Sequence, residues 1–97
     1  MAYQSKLASK ETDELFDAIM LLENTEECYR FFEDIMTVNE LKAISQRWQV
    51  AMLLSQNKTY AEIEAQTKAS TATISRINKC LSYGADGYSV VLNKMKK

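Results

Sequence analysis

Apolar positions recur at intervals of three and four along most of the chain. This is the period of helices with one buried side, and it never settles into the strict alternation of a half-buried strand. The spacing predicts a first helix over 10–22, with Leu15, Ala18, Ile19 and Leu22 as its inner set, Phe16 and Met20 widening it, and Ser9 or Thr12 as cap. A second is expected over 26–36 behind Thr25 as cap, where Cys28, Phe31, Phe32 and Ile35 share a face that reads as core. A third opens on Thr37-Val-Asn-Glu40, a capping box, and runs to about residue 55. It is apolar on two faces, Leu41, Ile44, Trp48, Ala51 and Met52 on one and Ala43, Val50, Leu53 and Leu54 on the other. Such a helix has to be covered on two sides, and a short chain has few elements to do it. A second copy of the chain would serve, so Leu41, Ile44, Trp48, Val50 and Leu54 are read as the core of a homodimer.

Two short helices follow. Thr59 and Glu62 make another capping box, with Ile63 turned inward. Thr67 to Ala69 form a three-residue turn. Ser70 then caps a helix whose Ile74, Ile77 and Leu81 fall on one face. Helices joined this tightly cross steeply, as in a helix-turn-helix whose second member enters a major groove. Gly84 and Gly87, the only glycines, mark a loop over 82–87. A last short helix is expected through Tyr88, Val91, Leu92 and Met95, with Lys94, Lys96 and Lys97 as a basic tail. The lack of proline suits this plan. The fold class expected is all-α, five or six helices in one domain over 1–97, with residues 1–9 as an arm and the helix-turn-helix at 59–82.

Charge changes the picture. The net charge is −1, yet residues 1–40 carry ten acids against three bases, and residues 41–97 carry nine bases against three acids. The halves therefore stand at −7 and +6, an asymmetry that suits a polyanion partner for the second half, although two solvated helix faces would also produce it. Met1–Lys10 has no apolar core of a signal peptide, and no apolar run approaches the ~20 residues that span a bilayer. A cytoplasmic protein without membrane contact is expected.

Candidate chemistry narrows quickly. There is no histidine, and Cys28 and Cys80 stand far apart, so no Cys/His metal site and no Ser–His or Cys–His pair is available. Both cysteines read as reduced core residues. No catalytic and no metal-ligating residues are assigned. The outward face of the 70–82 helix is Thr71, Ala72, Ser75, Arg76 and Lys79, with Thr73 beside it. Small hydroxyl and methyl groups let a helix approach base edges closely, and the cations match phosphate or guanine. Thr59, Tyr60, Lys68 and Lys79 lie nearer the nucleic-acid backbone in this reading, and the capping Ser70 is counted among the DNA-binding residues. An ordinary helical hairpin is the bland alternative.

The stretch Ser70-Thr-Ala-Thr-Ile-Ser-Arg-Ile-Asn78 resembles the recognition-helix signature of the Trp repressor family, and Met36-Thr37, Glu40-Leu41 and Arg47 resemble the junction of that family's second and third helices. The similarity covers roughly residues 28–95 and is greatest to the Trp-repressor-like group YerC/YecD. It implies a six-helix fold, an intertwined homodimer, and binding of double-stranded DNA by two helix-turn-helices one DNA turn apart. By the same resemblance Thr37, Arg47 and Arg76 match the corepressor-binding positions of the family. Ile77, however, stands where the family has a glycine under the ligand ring, and its side chain would fill that space. Tryptophan is therefore not expected as cofactor, and any other small effector is unknown. Two further departures concern the DNA side. The basic contacts of the family's first motif helix are replaced by Ala61 and Glu64, and Lys68 occupies a turn that favours glycine, so it must take an unusual backbone angle or the turn must differ.

The leading expectation is thus a DNA-binding transcriptional regulator, a repressor acting as a homodimer. The alternative is a helical protein-interaction module that regulates without touching DNA, which Ala61, Glu64 and the acidic first half favour. An enzyme is a distant third, since nothing arranges the carboxylates with a base, a metal site or a phosphate loop.

Overall fold

The computed structural model describes residues 3–96, and among them it contains six helices and no strand. These are α1 (Lys10–Ile19), α2 (Thr25–Ile35), α3 (Val38–Ser55), α4 (Tyr60–Thr67), α5 (Thr71–Tyr83) and α6 (Gly87–Met95). The expected tail residue Lys97 and the first two residues of the expected arm lie outside the described residues. The chain forms two compact units, Met1–Thr37 and Val38–Lys97.

In the first unit, residues 3–9 are exposed and hold a turn in which Ala8 N–H donates to the Ser5 carbonyl. Ser9 caps α1 by accepting from the Thr12 N–H at 3.1 Å, and Glu11 and Asp13 sit at the positive end of the helix dipole. The helix stops at Ile19, three residues short of expectation. Leu21 and Leu22 N–H switch to the carbonyls three back, those of Ala18 and Ile19, which tightens the chain into the turn before α2. The cap of α2 is Asn24 in place of the expected Thr25: its side chain accepts from the Glu27 N–H, and the Glu27 carboxylate accepts from the Glu23 N–H, both at 2.9 Å. Asparagine outcompetes threonine here because its amide oxygen reaches the third helical N–H while the backbone stays extended. Phe31 and Phe32 meet edge to face with centroids 5.4 Å apart. Neither helix contains a fully buried residue.

The second unit has the core. Val50 and Ala51 of α3, Ile63 of α4, Ala69 of the turn, and Ile74 and Ile77 of α5 form one buried cluster, with Trp48, Leu53, Leu54 and Tyr88 packed against it. α3 touches α4, α5 and α6, and α5 touches both of its neighbours. Trp48 stacks on Tyr88 of α6, with ring planes 19° apart. The chain therefore covers much of α3 itself. Val50, read as part of the dimer core, has no exposed surface and belongs to the chain's own interior. Trp48 and Leu54 are half-buried against that same interior, whereas Ile44 is exposed and Leu41 half-buried. The cysteine reading also changes: Cys28 is half-buried and Cys80 is exposed, both free.

Gly84 ends α5 where no side chain fits. A Cβ there would lie 2.6 Å from the Cys80 carbonyl oxygen, which accepts the Gly84 N–H at 2.9 Å. Gly84→Ala should therefore destabilise the protein by about 1–3 kcal/mol, since backbone has to shift to relieve the overlap. Gly87, by contrast, meets nothing within 4 Å at the first position of α6, and Gly87→Ala should be neutral or stabilising. Thermal unfolding of the two variants checks the difference.

Candidate nucleic-acid interface

The candidate site is built on α4, the turn and α5. At the start of α4 the Thr59 side chain accepts from the Glu62 N–H at 3.1 Å, and the Glu62 carboxylate accepts from the Thr59 N–H at 2.8 Å. The expected capping box is complete. The Thr59 backbone hydrogen bond holds the Glu62 carboxyl below its ordinary range, helped by the Thr59 side chain and Lys58. At the other end, the Thr67 hydroxyl donates to the Ile63 carbonyl at 2.8 Å and accepts from the Ala69 N–H at 3.1 Å. Gln46 of α3 donates to the Thr67 carbonyl at 3.1 Å. These bonds pin both ends of an eight-residue helix that could not persist alone.

The turn hinges on Lys68, which sits at φ 62°, ψ 15°, in the left-handed region. The unusual angle anticipated from the sequence is thus adopted, and its N–H closes on the Glu64 carbonyl at 2.9 Å. Ala69 is buried under the crossing, where a larger side chain would lever the helices apart. Ser70 then caps α5: its hydroxyl oxygen accepts from the Thr73 N–H and its proton goes to the Thr73 hydroxyl, both at 3.1 Å. The Ser70 hydroxyl is consequently committed to the cap, which limits it as a contact residue.

With Ile74 and Ile77 turned into the core, α5 exposes Thr71, Ala72, Arg76 and Lys79. Ser75, read as outward, is half-buried on the flank, as is Thr73, read as lying beside that face. Ala72, Ser75, Arg76, Lys79, Cys80, Tyr83 and Gly84 line one shallow groove along this face. The sequence reading overlooked Cys80 and Tyr83, and the three- and four-residue spacing from Arg76 and Lys79 was the signal available. α5 contains no acidic residue, so its dipole end is left uncompensated, unlike that of α4. Thr59, Tyr60 and Lys68 are exposed at the two ends of α4, and so are Ala61 and Glu64 between them. Of the residues matched to a corepressor pocket, Arg76 lines the α5 groove but Arg47 does not, and Ile77 is buried in the core. Thr37 closes the first unit.

This is a helix-turn-helix mounted on an all-helical frame. The profile of the Trp repressor protein family matches residues 10–96, and the chain belongs to that family. Its members are regulators rather than enzymes. The chain is 50% identical over 92 residues to the uncharacterised protein YerC of Bacillus subtilis (strain 168), covering 95% of this chain and 88% of that one. Among solved structures it is similar to a Staphylococcus aureus protein described as a candidate Trp repressor, at 54% identity and a TM-score of 0.89, covering 94% of this chain and 91% of that one. It is also similar to a TrpR-like protein of Eubacterium eligens ATCC 27750, at 46% identity and a TM-score of 0.90 over 94% of each chain.

Two outcomes follow from the local chemistry. Lys68→Gly should stabilise the fold by about 0.5–1 kcal/mol, because glycine adopts the left-handed angle without a Cβ penalty; a lower melting temperature would contradict the turn geometry. The lowered Glu62 carboxyl means that the capping box contributes above the ordinary carboxylate pKa and is lost as pH falls through the Glu62 value. Glu62→Gln should therefore flatten the acid limb of the stability–pH curve, as read by chemical denaturation at a series of acidic pH values.

Proposed function

We propose that the protein is a sequence-specific DNA-binding transcriptional regulator, a repressor that acts as a cytoplasmic homodimer on double-stranded DNA. One observation carries the reading: α5 presents an exposed face of Thr71, Ala72, Arg76 and Lys79 without a single acid, backed by Ile74 and Ile77 in the core. A solvated surface helix of a −1 chain has no reason to exclude acids from one face, whereas a helix that enters a groove must. Thr71, Ala72, Ser75 and Arg76 face bases or the groove wall. Thr59, Tyr60, Lys68 and Lys79 contact the backbone, and the uncompensated N-terminus of α5 suits a phosphate.

Dimer formation is supported by the apolar surface left open: Phe16, Met20, Tyr29 and Ile35 in the first unit, and Ile44 on α3. A monomer of this size would carry these at a cost in solubility. No helix among the described residues is long and apolar enough to cross a membrane. The burial of Ile77 argues against a tryptophan corepressor, because the isoleucine occupies the place of the family's glycine.

Exposed Glu64 and Ala61 favour a second reading, a protein-interaction module, since a carboxylate on the DNA side of α4 repels phosphate. Selection of duplexes from a random pool, followed by titration at several salt concentrations, separates the two. Binding should weaken steeply with salt, and Arg76→Ala should cost about 1–3 kcal/mol of affinity with an unchanged melting temperature. If no duplex is bound above a charge-matched control, DNA binding is refuted.

A further inference from the structure

We propose that Asn78, which lies outside the set of groove-facing residues, is a positioning residue that turns the hydroxyl of Tyr60 into a hydrogen-bond donor for a DNA phosphate. The inference rests on the DNA-binding reading above. Tyr60 is the first residue of α4, and Asn78 lies in the middle of α5. The Asn78 Nδ2 donates to the Tyr60 Oη at 3.2 Å, across a sequence separation of 18 residues. Among the described hydrogen bonds this is the one that ties a side chain of α4 to a side chain of α5.

A phenol carries one proton and two acceptor lone pairs. Once a lone pair of Oη is engaged by an N–H of Asn78, the phenolic proton cannot point along that same line. It is left for another acceptor, and Tyr60 keeps 37% of its surface exposed to receive one. Phosphate oxygens only accept, so a tyrosine whose proton were spent inside the protein would be of no use to them. The carboxamide thereby sets the direction of the phenolic proton and holds the ring at the mouth of the module. Neighbouring Ile77 fixes Asn78 by anchoring that turn of α5 in the core. The contact carries no base information, so it contributes affinity and register rather than sequence choice.

The test uses the full chain and a duplex obtained by selection from a random pool. In two-dimensional nitrogen–proton spectra, Tyr60→Phe should move the side-chain amide signals of Asn78. Tyr60→Phe and Asn78→Ala should each weaken duplex binding on the order of tenfold, and the double variant should lose no more than either alone. The slope of affinity against salt should stay that of the unsubstituted protein, since neither residue releases a counterion, and melting temperatures should stay close. Multiplying losses in the double variant, or an unaffected Asn78 amide, would overturn the positioning role while DNA binding stands. Failure of the unsubstituted protein to bind any duplex would overturn both.

Discussion

Everything that the helix-turn-helix presents depends on three isoleucines seated against a small patch of α3. α4 has eight residues and α5 thirteen, lengths at which an isolated helix is marginal in water. Ile63, Ile74 and Ile77 supply what propensity does not, by burying themselves on Val50 and Ala51. Each buried isoleucine is worth about 1.5–3 kcal/mol relative to exposure, so the loss of one would consume much of the stability of a domain this small. The same seat decides orientation. On α5, Ile74 and Ile77 are three apart and face inward, which forces Thr71, Ala72, Arg76 and Lys79 outward. The chemistry of the outer face is thus fixed by residues that lie buried in the core.

Small residues complete the seat. Ala51 and Ala69 are both buried, one on α3 and the other in the turn. Their methyl groups set how closely α4 and α5 approach α3 and each other, and interiors packed to crystal density leave no room for more. The turn itself is held by hydrogen bonds rather than by glycine. Thr67 uses its hydroxyl twice, Gln46 reaches across from α3, and Ser70 closes the next helix. With that many local bonds the backbone at Lys68 is over-determined, which is the condition under which a left-handed lysine persists.

Much of this was legible in the sequence, and the reasons differ by residue. Thr59, Glu62, Ser70 and Ser9 announced their helices because caps are local, with donor and acceptor three residues apart. Ile63, Ile74 and Ile77 announced their face because periodicity is local too. The errors fell where two local solutions competed or where a distant element decided. Asn24 and Thr25 both make caps, and only the geometry of the preceding turn chose between them. Val50 reads as an apolar position needing cover, but periodicity cannot say whether the cover is α4, α5 or a second copy. The bond from Asn78 to Tyr60 leaves no trace in any short window. Cys80 looked like core because its type is usually buried, whereas its place on α5, one turn past Arg76, puts it on the open face.

The left-handed positions show where stability has been set aside. Asn57, Lys68 and Asp86 all have positive φ, while neither glycine does. Asparagine and aspartate are the side chains that visit that region most readily, whereas a lysine there carries the Cβ penalty that Lys68→Gly would remove. Glycine was available to the chain: it stands at 84, where any Cβ would strike the Cys80 carbonyl, and at 87, where nothing requires it. A strained lysine at a turn that glycine would relax is therefore not explained by folding. What lysine adds and glycine cannot is an ammonium group at the elbow between α4 and α5, one helical turn from the exposed Glu64. On that argument, the left-handed backbone at Lys68 and the exposure of Glu64 belong together: a cation and a carboxylate stand one helical turn apart on the surface of α4 and its turn.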